Sequence, residues 1–596
     1  MIKGKLATWT NIDDCQNLLF FAQLANELLF DFSIPSNRLP TLNSHYLCYD
    51  ASEAIKYIDN HGVPEGTLKP IIEELYTSLS KDVLFKSSEY SPLDFFVKYC
   101  NGKYRRTSRP DELNHNEYKQ LITALSQRFF ADQDYFVSLK EKIIQIIANN
   151  LSSEQGDLFQ LTKSLLTELV NSGYHPNYLY DHVNRVFFRK KQPISSPNDI
   201  QLFFDPLTLK LKKYTVIFIV KKEAKNYFGE SSWLHFFNNY KLRTSDPKES
   251  AFVTQLNEGE VILTMEQQAL DPYRAVELSK YLFVTNASFF RLYNHNLDFK
   301  FNRNKCGVYD EHDTFVEISE SVSAVQKTKT PSNQKILDSF NVLKGMLTRK
   351  SLSQSNYKAF LNAINFHYLS LDSSSVQNQL LDMWAIFEAL LDIKNSHSTD
   401  RINQICKYLV PIEKMRYLYA LFCELTQDIK NNSPSFYRRI TDNCDDSFSC
   451  IQKICCFALL EEYETERTMF FQDCNDIPLL RERILYFNSM LSSHDKIYSF
   501  VEKHSDRVKW QIMRIYRNRN LIIHNGESMP YMSLLVENLH SYVDDLLDFT
   551  ITSLSSGYSL DSMYQQLYAQ ECKWLEEFNT KGVKTTRNTI ETFLRL

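Results

Sequence analysis

The sequence predicts a mainly α-helical protein with one smaller α+β region, on three observations. Only 13 Gly and 17 Pro occur in 596 residues, too few for a turn-rich all-β chain. Apolar residues recur at helical spacing through the first and last parts of the chain. Short β-branched and aromatic runs gather between 190 and 325. One core does not serve a chain of this length, and at roughly 150 residues per domain about three or four units are expected. The expected division is a helical N-terminal domain at 1–189, an α+β middle domain at 190–326, and a helical domain with a C-terminal extension at 335–596. The polar segment 327–334 serves as linker.

The elements follow in order. At 15–30, Leu18, Leu19, Phe21, Leu24, Leu28 and Leu29 mark a buried helix face, and further helices are expected near 68–79, 118–130 and 135–149. The run Lys103 to Pro110 is basic with an aromatic inside it, a mixture that a single-stranded nucleic acid could use, but alone it reads as a solvated loop. Ser152 and Gln155 have the spacing of a capping box for a helix faced by Leu158, Leu161, Leu165 and Leu169, which Gly173 ends. His175 and His182, set among Tyr and Phe, read as packing residues. In the middle region, strands are expected at 214–220, 260–264, 281–285 and 314–318, with a helix at 272–279, giving an α+β or α/β unit. Beyond the linker, helices are expected at 335–348, 354–368, 375–393, 401–409, 411–426, 446–464, 477–492, 505–524 and 531–555. Pro411 is expected to break the fourth from the fifth. Short loops between such helices imply antiparallel neighbours in a bundle.

Composition excludes several functions. The formal charge of −5 gives the whole molecule no attraction for nucleic acid, so an RNA partner needs a local basic patch. No G-x-x-x-x-G-K or G-x-G-x-x-G occurs, which argues against a nucleotide-driven motor, and nothing suggests a separate activity for the middle region. The first residues lack the pattern of a signal peptide, and the longest apolar runs, such as 454–460, are far shorter than a bilayer span. A cytoplasmic protein without membrane association is expected. None of the 12 cysteines falls in a C-x-x-C pair, and no histidine follows Cys450, Cys455 and Cys456 at zinc-finger spacing; no metal site and no cofactor are expected.

Chemistry concentrates at 517–526, Arg-Asn-Arg-Asn-Leu-Ile-Ile-His-Asn-Gly, read as a helix end stopped by Asn525-Gly526. The apolar stripe Val508, Ile512, Ile515 and Ile522 lacks one member, and Arg519 stands there. Arg519 and His524 lie about 140° apart around an ideal helix, whereas Asn520 and His524 share a face with Arg517. The pair therefore meets on one substrate only if the helix end unwinds or if two copies face each other across a two-fold axis. From 505 to 526, Arg507, Lys509, Arg514, Arg517 and Arg519 face one acid, Asp506, which favours a polyanion. An imidazole can move a proton to or from a ribose 2′-hydroxyl or a leaving 5′-oxygen, and a guanidinium can hold the phosphate, so no metal is needed. Lys509 and Arg514 are candidate RNA contacts. Glu388 shares a helix face with Leu381, Trp384 and Leu391, and needs a partner such as an Arg or His of the 505–524 helix.

The R-N-x-x-x-H string at Arg519 to His524, preceded by L-x-x-W-x-x-x-E-A-L at Leu381 to Leu390, resembles the HEPN superfamily, most closely ApeA-like HEPN proteins of anti-phage defence. The resemblance covers about 335–556. It implies an all-α bundle that dimerises through the motif and cleaves RNA without metal. Arg519 and His524 are then the catalytic pair, with Asn520, Glu388 and Arg517 supporting; Arg517 also fits the looser R-x6-H spacing, so either arginine remains open. The expected function is abortive infection by a homodimeric or larger ribonuclease toxin acting on tRNA or on bulk cellular or phage RNA. The N-terminal half would sense a phage-encoded trigger or restrain cleavage. The competing expectation is a non-catalytic scaffold that only dimerises or binds RNA.

Overall fold

In a computed structural model the chain is mainly α-helical with one five-stranded antiparallel sheet. The structure describes all residues except 1–5, 7–8, 32, 34–36, 62–67, 86–95, 97–113, 131–133, 190–192, 229–233, 239, 296–300, 302–304, 320–324, 326–336, 338–339, 342–343, 346–353, 374, 392–397, 444–446, 557 and 595–596. The basic run 103–110, the linker at 327–334 and most of the helix expected at 335–348 lie outside the described residues. Two compact units result: Met1–Thr167, Pro193–Asn198 and Ser323–Leu596 form one, and Glu168–Gln192 with Asp199–Val322 form the other. The separate N-terminal and C-terminal helical domains expected at 1–189 and 335–596 therefore belong largely to one unit.

The helices that matter here begin with α1 (Gln16–Leu28), α2 (Ser44–His61) and α3 (Lys69–Lys81). The capping box expected at Ser152 does not form. Ser152–Glu154 make a 3-10 turn without a side-chain cap, and the Gln155 amide turns inward to Asn17 Oδ1 at 3.3 Å. Gly173, at φ 113°, closes the following helix as expected.

The second unit is built on β1 (Lys212–Lys221), β2 (Leu234–Phe237), β3 (Glu260–Ala269), β4 (Lys305–Tyr309) and β5 (Phe315–Ser319), in the order β2-β3-β1-β4-β5. Every pairing is antiparallel, which excludes the α/β alternative. On one face Val216, Phe218 and Val220 pack with Ala275, Val276 and Phe283; on the other, Ile217 and Ile219 pack with Phe252. Burial on both sides explains why the central strand reads as a nearly unbroken apolar run. Opposite Ile217, a Cβ on Gly307 would lie 2.6 Å from the Phe315 ring, so glycine is required by close approach.

The strand expected at 281–285 is instead the continuation of the helix Pro272–Arg291. Asp271 caps its start, and Ala275, Val276, Ser279, Phe283 and Ala287 are its buried residues. That spacing belongs to a helix; Tyr281, Leu282 and Val284 are exposed despite their β propensity.

The first unit continues with α4 (Gln354–Asp372), α5 (Val376–Leu390), α6 (Ser398–Asn432), α7 (His494–Asn525) and α8 (Met532–Ser555). Pro411 does not break α6, which runs through it. The lost hydrogen bond and clash cost about 3 kcal/mol. They are outweighed by burial of Leu409, Ile412, Leu418, Phe422, Leu425 and Ile429, each worth about 1.5–3 kcal/mol. Among the described residues no helix is long and apolar enough to cross a membrane.

Candidate functional site

The motif lies on the last turns of α7, a helix of 32 residues that begins earlier than its apolar stripe suggested. Val508, Ile512 and Ile515 are buried as expected, but towards the end the buried positions are Arg514, Asn518 and Leu521. Gly526 ends the helix in the left-handed conformation at φ 70°, its N–H donating to Ile522 O. The Asn-Gly stop is thus realised as read from the sequence.

Arg519 is half-buried and faces α5. Its Nη2 lies 3.5 Å from Glu388 Oε1, and its Nη1 donates to Asn520 Oδ1 at 3.2 Å. Trp384 Nε1 donates to the same Glu388 oxygen at 3.1 Å, and the Trp384 ring lies against Tyr516 with centroids 5.4 Å apart. Glu388 thus has the arginine partner its position called for, although its side chain is 39% exposed rather than buried. The carboxylate orients the guanidinium without removing it from water, which leaves donors for a phosphate.

His524 is exposed at the helix end, and its side chain has no hydrogen-bond partner among the described residues. No hydrogen bond joins it to Arg519 within one chain, in keeping with their angular separation. Ile523 beside it is 46% exposed, an apolar residue presented next to the imidazole.

The other sequence-predicted cations have a different fate. Arg514, expected to contact RNA, is buried: it pairs with Glu74 of α3, and its Nε lies 3.5 Å from Asp50 of α2. Arg517 Nη2 pairs with the same Asp50 carboxylate at 2.5 Å, and Tyr531 donates to its other oxygen at 2.7 Å. Burial alone would raise the Asp50 pKa; the Arg517 and Arg514 charges and the Tyr531 hydroxyl outweigh it and hold the carboxyl below its usual range. Burial likewise disfavours the Arg514 charge, yet Glu74 and Asp50 overcome it and raise its pKa. Two of the five cations counted along the helix are therefore neutralised by N-terminal acids. Arg514 is thus held in buried ion pairs rather than presented to solvent, and Arg517 is tied to Asp50. Lys509 is exposed.

Sequence reasoning missed Asp50, Glu74 and Tyr531. No local signal marks them, since Asp50 and Arg517 are 467 residues apart. It also missed Asn518, fully buried, whose Nδ2 donates to Arg514 O at 2.9 Å while its Oδ1 has no partner among the described residues.

No protein-family model, curated protein or solved structure matches the chain.

Proposed function

We propose that the protein is a HEPN-type, metal-independent endoribonuclease that acts in the cytoplasm as a homodimer or larger homo-oligomer. Its role would be anti-phage defence, cutting tRNA or bulk cellular or phage RNA once a phage-encoded trigger appears. The observation that carries this reading is the presence at one capped helix end of a free, exposed imidazole, His524, and of a half-buried guanidinium, Arg519, steadied by Glu388 and Asn520. Of the two arginines left open by the motif, Arg519 is favoured, because Arg517 is bound by Asp50. In the reaction, the imidazole moves the proton of a 2′-hydroxyl or of the leaving 5′-oxygen while the guanidinium steadies charge at phosphorus. The hold of Asp50 and Glu74 on α7 supports a restraining role for the N-terminal helices.

The test is direct. Purified His524→Ala should bind RNA as wild type does, yet cleave it about 100- to 10,000-fold more slowly, the usual worth of a positioned general acid or base. Cleavage by wild type should survive EDTA and leave 2′,3′-cyclic phosphate or 3′-phosphate ends. Equal cleavage by both proteins, or metal-dependent products with 5′-phosphates, would sink the mechanism. RNA binding without cleavage by triggered wild type would favour the scaffold instead.

A further inference from the structure

Away from the α7 motif, three donors on α4 and α8 converge. His540 and Asp544 stand four residues apart on α8 and so share one face of that helix. His367, from α4, completes the group, and the three donor atoms lie within 4.8 Å of one another. Both imidazole Nε2 atoms face one oxygen, Asp544 Oδ1, at 3.4 Å from His367 and 3.5 Å from His540.

Those two Nε2 atoms are buried and have no hydrogen-bond partner among the described residues, and the His540 side chain is only 4% exposed. A buried polar atom left unpaired costs about 1–3 kcal/mol, so it needs an explanation. A shared proton would draw donor and acceptor to about 2.7–2.9 Å. The two nitrogen–oxygen spacings, 3.4 and 3.5 Å, instead lie close to the edge of a tetrahedron, about 3.3–3.4 Å when metal–ligand bonds are about 2.0–2.1 Å long. The rings, nearly parallel at 13° with centroids 5.6 Å apart, present their nitrogens side by side toward that oxygen.

We propose that His367, His540 and Asp544 form a binding site for a divalent transition-metal ion, zinc fitting best, that clasps α4 to α8. Two imidazoles and a carboxylate suit a borderline ion rather than calcium or magnesium, which take oxygen ligands. The Asp544 side chain is 40% exposed, so the carboxylate end of the group is open to solvent. Neither Arg519 nor His524 is a donor, and the site stands independently of the ribonuclease reading. Local sequence patterns did not show it because His367 lies on a different helix from the other two ligands.

The experiment uses the full chain, stripped with a chelator and titrated with zinc alone against a competing chromophoric chelator. Wild type should bind one ion tightly, and cobalt in its place should give the intense visible absorption of a four-coordinate site. His540→Ala and His367→Ala should each weaken that binding by more than about 100-fold, beyond the 10- to 100-fold that loss of an outer-shell contact costs. Should either alanine variant fail to fold, Asp544→Asn at the half-exposed position decides, with an expected loss of at least about tenfold. Wild type with no tight zinc site overturns the proposal. So does an unchanged affinity in all folded variants, which would reveal an adventitious ion only, held for example by cysteines.

Discussion

His182 shows what a buried titratable side chain does in this protein. Its Nε2 meets Phe203 O at 2.9 Å while its Nδ1 accepts from Arg185 at 3.1 Å, an arrangement that fits the neutral ring alone. Burial, with the Arg185 charge adding to it, pushes its pKa down to about 4. The unfolded chain protonates near the ordinary value of about 6.5, so below that pH it takes up a proton that the folded unit refuses. This contribution to stability is therefore complete above pH 6.5 and is lost toward pH 4, at about 1.4 kcal/mol per pH unit, or about 2 kcal/mol by pH 5. Asp271, pushed up to about 6 chiefly by burial, acts with the opposite sign between about pH 6 and 4. The wild-type slope thus mixes the two, and the difference from His182→Gln isolates the histidine. Glutamine can donate to Phe203 O and accept from Arg185, so urea unfolding should show the variant gaining on wild type by about 2 kcal/mol between pH 7 and pH 5. Parallel pH profiles would refute the assignment.

At the scale of elements, α7 is held by α2 and α3 through charge rather than through its apolar stripe alone. Asp50 is fully buried, and Arg514, Arg517 and Tyr531 all depend on it. Breaking a buried ion pair from one side typically costs about 3–5 kcal/mol, because the remaining charges stay buried. Asp50→Asn should therefore lose about 3 kcal/mol in urea unfolding followed by tryptophan fluorescence. A loss below about 0.5 kcal/mol would mean that Glu74 alone satisfies both arginines. None of this clamp was legible in the sequence. What could be read was local: the Asn525-Gly526 stop, the Glu388–Arg519 pairing and the nearly unbroken apolar run of β1 all follow from patterns within one or two elements. Tyr281 to Thr285 reads as a strand because its β-branched and aromatic composition outweighs the three- and four-residue spacing of Val276, Ser279, Phe283 and Ala287. Pro411 was misread because the burial that carries α6 past it comes from other helices. The cationic face of α7 was misread because the acids that cover it lie hundreds of residues upstream.

For the whole molecule, the first unit joins residues before Thr167 to residues after Ser323, so the motif-bearing helix cannot be separated from the N-terminal helices by truncation. Loss of Asp50 and Glu74 would strand Arg514 and Arg517, and a fragment beginning near 335 is a poor test of restraint. Intact chains offer a better test of how the site is completed. Within one chain no hydrogen bond joins Arg519 to His524, and the exposed Ile523 lies between them in sequence. A two-fold axis through the end of α7 would bring the Arg519 of each copy to the His524 of the other. Arg519→Ala and His524→Ala, each inactive alone, would then complement one another. Half of the randomly mixed dimers are heterodimers, and each of those holds one wild-type pair among two sites, so an equimolar mixture should regain roughly a quarter of wild-type RNA cleavage. Ile523→Asp should abolish the recovery by placing two carboxylates near the axis. If the mixture stays inactive although labelled subunits demonstrably exchange, the site is built within one chain, and α7 must unwind at Asn525-Gly526 to bring the two residues together.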